Sequence, residues 1–127
     1  MSRAAGIRSR ALQSRDAIEL LSSKWRIAVL HLLTAGPVRT GELQRALGEI
    51  SHKVLTQTLR GMERDGLITR RVASGAPPRV DYALTQMGRS VVKPVRDLCH
   101  WARAHVAERD AARRRYDAAV SPRSSAK

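Results

Sequence analysis

The stretch SSKWRIAVLHLLTAGPV places Trp25, Ala28, Val29, Leu32 and Leu33 at i, i+3, i+4, i+7 and i+8, the spacing of one buried helical stripe. Ser23 is positioned to cap this helix and Gly36-Pro37 to end it. Upstream, Asp16 to Leu21 reads as a short helix. Downstream, RTGELQRALG starts another, with Thr40 as its cap, Leu43, Ala46 and Leu47 on one face, and Gly48 as its stop. In ISHKVLTQTLRGMERDGLITR, Ser51 is an N-cap, Leu55, Leu59 and Met62 form an inward stripe flanked by Val54 and Thr58, and Gly66 suits a left-handed terminator. A helix from Ser51 to Asp65 spans roughly 20 Å.

After Gly66 the period changes from 3.6 to 2. LITRRVA and RVDYALT alternate as strands do, and SGAPP between them is turn material, so the pair predicts a β-hairpin. From a Thr85 cap, TQMGRSVVKPVRDLCHWARAHVAERDAARRRY reads as one long helix, with Pro94 expected to kink or split it. The predicted fold is α+β and mainly α. It is a winged helix-turn-helix with a two-stranded hairpin wing and a long C-terminal helix for dimerisation. Residues 1–14 have no clear period and are expected to form a disordered basic arm. Residues 15–106 form the folded domain, and residues 107–127 a basic helical extension with a disordered tail.

Composition narrows the reading. Phe is absent and only two Trp and two Tyr are present, so the core must be aliphatic. No apolar run approaches the ~20 residues of a membrane span, and the basic N-terminus is not followed by an apolar signal segment. A lone cysteine, Cys99, cannot form an intrachain disulfide, which suits a reducing cytoplasm. The net charge is +13, of which residues 1–15 and residues 103–127 each contribute +4. Such a balance points to a polyanion, nucleic acid first, or to solvated Arg-rich tails.

Charge and period meet on the 51–65 helix. The second helix of a helix-turn-helix enters the major groove by its N-terminal half. Here that half carries Ser51, His52, Lys53, Thr56, Gln57 and Arg60 outside the apolar stripe. Arg and Lys reach guanine O6 and N7, Gln pairs with adenine, and Thr offers a hydroxyl and a methyl group. Glu63 and Asp65 lie at the other end, away from the phosphates. Arg79, beside the stiff Pro77-Pro78, is placed for a minor groove or a phosphate, Arg70 and Arg71 lie at the base of the wing, and Arg39 and Thr40 open the preceding helix. The competing readings are a solvated helix face, a non-specific architectural protein driven by the basic ends, and a protein-interaction module. Neither the histidines nor Cys99 have metal-site spacing, and no nucleophile, carboxylate pair or phosphate loop appears. Neither a metal, a cofactor nor an enzymatic activity is expected.

The pieces ELLSSKW, VLHLLTAGPVRTGELQRAL, ISHKVLTQTLRGMERDGLITR, PPRVDYALTQMGRS and LCHW occur in an order and spacing that resemble the HxlR-type bacterial transcriptional regulators, relatives of the MarR regulators. The resemblance covers about Glu19 to Trp101. It implies a homodimer bound to an inverted repeat in double-stranded DNA, repression of transcription and a cytoplasmic, nucleoid-associated protein. It places the recognition helix at Ser51–Asp65 and the wing at Ala73–Arg79. The implied dimer interface comes from the first and last helices, through Ala17, Ile18, Leu21, Val95, Leu98, Trp101 and Val106. The family's frequent Cys-Pro pair near the first helix falls on Leu12 and Gln13, so control through that cysteine is not expected. The controlling signal, including any small-molecule effector, stays open.

Overall fold

The computed structural model describes residues 3–120, apart from the side chains at 11–14 and 17. The element order is α1 (Arg3–Leu20), α2 (Lys24–Leu32), β1 (Val38–Arg39), α3 (Thr40–Leu47), α4 (His52–Arg64), β2 (Ile68–Ala73), β3 (Arg79–Leu84) and α5 (Gln86–Val120). The fold is mainly helical with one small antiparallel sheet. Two compact units meet between Val92 and Lys93 in sequence.

In the first unit the loose arm expected over residues 1–14 is instead helical from Arg3 onward. Its Ala, Arg, Leu and Gln content favours helix without any amphipathic period. The absence of a period removed the sequence signal, not the helix. Ser23 caps α2 by accepting a 3.1 Å hydrogen bond from the Trp25 amide. The buried stripe of α2 is Val29, Leu30 and Leu33, with Arg26 in line one turn earlier. It is therefore rotated from the predicted one: Trp25, Ala28 and Leu32 are only half-buried, and Lys24 lies 4.7 Å from the Trp25 ring centroid.

The predicted two-stranded hairpin is present as β2–β3, and the short β1 joins it to make a three-stranded sheet. Strand order is β1-β3-β2, with Val38 opposite Tyr82, Arg39 opposite Asp81, and β2 paired along β3 from Ile68–Leu84 to Ala73–Arg79. Two residues are too few to display a period, which is why β1 is invisible as a pattern. The core gathers Val29, Leu30 and Leu33 of α2, Leu43 of α3, Leu55, Leu59 and Met62 of α4, and Leu67, Ile68, Tyr82 and Leu84.

The start of α5 is anchored by Thr85. Its hydroxyl accepts from the Gly88 amide at 2.9 Å and donates to the Gly66 carbonyl at 2.6 Å. Gly88 is required by close approach, because a β-carbon there would collide with the Leu67 carbonyl. The second unit, from Lys93, contains the rest of α5. Pro94 lies inside that helix without splitting it, and the helix continues as expected past residue 107 to Val120. The predicted tail beyond Val120 lies outside the described residues. Among those residues no helix is long and apolar enough to cross a membrane.

Candidate nucleic-acid interface

The turn between α3 and α4 is built from local chemistry. Gly48 closes α3 at φ 65°, a left-handed conformation that favours glycine. The Gln44 side chain donates to the Ile50 carbonyl at 2.6 Å, tying α3 to the turn. Ser51 then opens α4, its hydroxyl accepting from the Val54 amide at 3.1 Å.

α4 is strongly two-faced. Leu55, Thr58, Leu59 and Met62 are buried, and the Thr58 hydroxyl is satisfied by donating to the Val54 carbonyl at 2.7 Å. The other face exposes Ser51, His52, Lys53, Gln57 and Arg60, with Thr56 half-buried. Among the described residues, the side chains of Lys53, Gln57 and Arg60 make no hydrogen bond or ion pair within the chain. Their donors and acceptors therefore face solvent with nothing to give up but water.

The far end of α4 is closed by Gly66 at φ 78°, with the Gly66 amide donating to the Glu63 carbonyl at 3.0 Å and the Leu67 amide to the Met62 carbonyl at 2.9 Å. This paired closure is the Schellman arrangement, and it turns the chain directly into β2. Asp65 at that end is bound by Arg26 at 2.8 Å.

The sheet sorts the remaining candidates. Strand alternation puts Arg70 on one face with Tyr82 and Arg71 on the other with Asp81. Arg70 joins Thr56, Arg60, Glu63 and Tyr82 around a cleft of about 300 Å³ between α4 and the sheet. Arg71 instead joins Thr34, Gly36 and Arg89 at a separate cleft of about 350 Å³. The two adjacent arginines at the base of the wing are thus not brought together.

Arg39, Thr40 and Arg79 are brought together. They line a third cleft, about 660 Å³, with Gly41, Pro77 and Pro78 between the start of α3 and the tip of the wing. Arg39, not Thr40, is the N-cap residue of α3, and its side chain makes no capping bond. Thr40 is the first helical residue, and its hydroxyl lies 3.5 Å from the Val80 carbonyl.

Asp81 is a residue that sequence reasoning missed. In register it sits between Arg39 and Arg71, and one of its carboxylate oxygens is buried without a hydrogen-bond partner among the described residues. Its signal would have been the register itself, which needs β1 to be known. Of the predicted interface residues, Ile18, Leu98, Trp101 and Val106 are exposed and Leu21 is half-exposed. Val95 is buried within the chain, and the Ala17 side chain lies outside the described residues.

Comparison with known proteins agrees with this geometry. A family model described as HxlR-like helix-turn-helix matches residues 20–110. The HTH-type transcriptional regulator YkvN of Bacillus subtilis is 38% identical over 99 residues, covering 78% of this chain and 83% of that protein. YtcD of the same bacterium is 42% identical over 89 residues, covering 70% and 71% respectively. Among solved structures, the transcriptional regulator ytfH from Salmonella typhimurium gives a TM-score of 0.68 at 33% identity, covering 80% of this chain and 90% of that one. The redox regulator HypR in its reduced form gives 0.73 at 26% identity, covering 78% and 98%. With the family matched over most of the folded part and a capped helix presenting an unbonded polar face beside a wing, the chain belongs to the HxlR-like helix-turn-helix family and is a DNA-binding transcriptional regulator, not an enzyme.

Proposed function

We propose that the chain works as a homodimer that represses transcription by occupying an inverted repeat. One copy of α4 enters the major groove of each half-site. Gln57 and Arg60 read base edges, with Ser51, His52, Lys53 and Thr56 beside them, and Arg39, Thr40, Arg70 and Arg79 hold phosphates or the flanking minor groove. Arg71, on the opposite sheet face from Arg70 beside Thr34 and Arg89, is left out of this contact set. The observation that carries this reading is the row Lys53, Gln57, Arg60. It is exposed and internally unbonded on a helix whose other face is buried.

The dimer is supported by exposed apolar side chains. Ile18 is 67% exposed, Leu98 66% and Trp101 59%, which is costly for large apolar groups left facing water. Leu98, Trp101, Ala102 and His105 follow i, i+3, i+4 and i+7, so they share one face of α5, with Val106 adjoining. Ile18 and Leu21 are the proposed contribution of the first helical segment. Cys99 is half-buried, and Leu12 stands where many family members carry a cysteine. The redox control in HypR's name therefore does not transfer here by that route. The site of action is DNA in the cytoplasm.

Selection of DNA sites from a random library with the purified chain tests the proposal. The expected product is an inverted repeat whose half-site centres lie about one turn, roughly 34 Å, apart. Gln57→Ala should then select a different base at one position of each half-site. An unchanged selected sequence with Gln57→Ala would refute the base-reading role. Equal displacement by DNA of any sequence, with binding lost on removing residues 1–14 and 107–127, would favour the architectural alternative.

A further inference from the structure

Arg26 is half-buried at the edge of the core, one turn before Val29 and Leu30 on α2. It shares the inward stripe of α2 with Val29, Leu30 and Leu33, which are 2% exposed or less. A guanidinium in such a row is unfavourable unless its donors are matched. One terminal nitrogen donates at 2.8 Å to the carbonyl of Leu20, the last residue of α1, and at 2.8 Å to the carboxylate of Asp65, the C-cap of α4. The other terminal nitrogen fills the space beside Gly61, where a β-carbon would stand 2.5 Å from it.

Two features that look unfavourable by themselves are explained by this contact. Gly61 lies inside α4 without a positive φ, so its backbone does not require glycine and the helix would prefer alanine. Asp65 puts an acid at the negative end of the α4 dipole. Arg26 accounts for both: glycine leaves room for the guanidinium, and the guanidinium neutralises the acid. The pair is only partly shielded, with side-chain exposures of 19% and 28%, so its value lies in geometry more than in Coulomb energy.

We infer that Arg26 is a positioning residue for DNA recognition: by joining the end of α1 to the end of α4 through Asp65 and Gly61, it sets the tilt at which Gln57 and Arg60 are presented, without touching DNA. The inference rests on the reading of α4 as the groove helix. A tilt of about 5° about the Asp65 end moves Gln57, about 12 Å along the helix, by about 1 Å, enough to weaken a base-edge hydrogen bond. Where α1 contributes to the dimer, the same link sets the separation of the two α4 copies.

The test uses the full chain as wild type, Arg26→Lys, Gly61→Ala and Asp65→Asn, on the operator that wild type selects. It adds operators with one base pair inserted or removed between the half-sites. Gly61→Ala improves helix propensity, and the group it displaces is the flexible end of Arg26, so this variant stays folded. The expected result is a thermal midpoint at or above wild type with operator binding about tenfold weaker, a coupling of ordinary allosteric size. Its preferred half-site spacing should change or broaden. Arg26→Lys and Asp65→Asn should move in the same direction, and the salt dependence should keep its wild-type slope because no phosphate contact is lost. Folded Gly61→Ala and Arg26→Lys with wild-type affinity and spacing preference would overturn the inference, as would losses that follow the melting midpoint alone. A wild type that selects no operator removes the premise about α4, and this inference with it.

Discussion

Thr85→Ala isolates the joint that holds the end of α4, the wing and α5 together. The hydroxyl accepts from the Gly88 amide at 2.9 Å and donates to the Gly66 carbonyl at 2.6 Å. The Leu67 carbonyl, at 3.1 Å, competes for the same single proton and adds little. Losing the cap costs about 1 kcal/mol. Losing the bond to Gly66 costs about 1 kcal/mol more, since that carbonyl is left short of a donor at a part-buried position. The γ-methyl, half-buried, adds about 0.4 kcal/mol at the usual value per methylene. The expected loss is about 2 kcal/mol, nearly all of it from the hydroxyl. Urea unfolding followed by far-UV circular dichroism, at one fixed protein concentration, measures it as a change in midpoint at constant slope. Thr85→Ser is the control and should lose less than about 0.8 kcal/mol, since it removes only the methyl. The reasoning fails if serine costs as much as alanine, or if alanine costs under about 0.5 kcal/mol against the cap values expected.

Gly88→Ala should destabilise by about 2 kcal/mol or more despite better helix propensity, because the new β-carbon meets the Leu67 backbone, which has no side-chain freedom with which to yield; the same urea titration reads it. Leu98→Asp puts a charge on the exposed apolar face of α5 and should shift sedimentation velocity toward the monomer while leaving helix content unchanged. Arg39→Ala, at the cleft beside Arg79, should weaken all DNA sequences alike and reduce the salt slope of binding by about one unit, in contrast to the sequence-dependent effect at Gln57.

The parts of this molecule that could be read from sequence are those fixed by short-range chemistry. Ser23, Ser51, Thr85, Gly48 and Gly66 act within a few residues of themselves, and each caps or closes a helix as expected. The inward stripe of α4 was equally legible, since Leu55, Leu59 and Met62 all follow one helical period. What escaped depends on distant partners. Nothing local marks Arg26, whose partner Asp65 is 39 residues away, and the large apolar Trp25 was placed on the buried stripe. Helix formation over Arg3 to Asp16 left no amphipathic trace. Strand β1 exists only through its pairing with β3, and without it neither Asp81 nor the opposite facing of Arg70 and Arg71 follows.

Strand β1 ends at Arg39 and α3 begins at Thr40, with no residue between. The chain therefore has unequal tolerance for changes of length. One residue inserted at that joint would rotate α3 by about 100° against the sheet and carry Leu43 out of the core. One residue inserted in the tip between Ala73 and Arg79 leaves every rung of the β2–β3 ladder in place. Variation in length is thus open to the wing tip, while the helix pair and the base of the sheet must be inherited, grafted or redesigned as one piece.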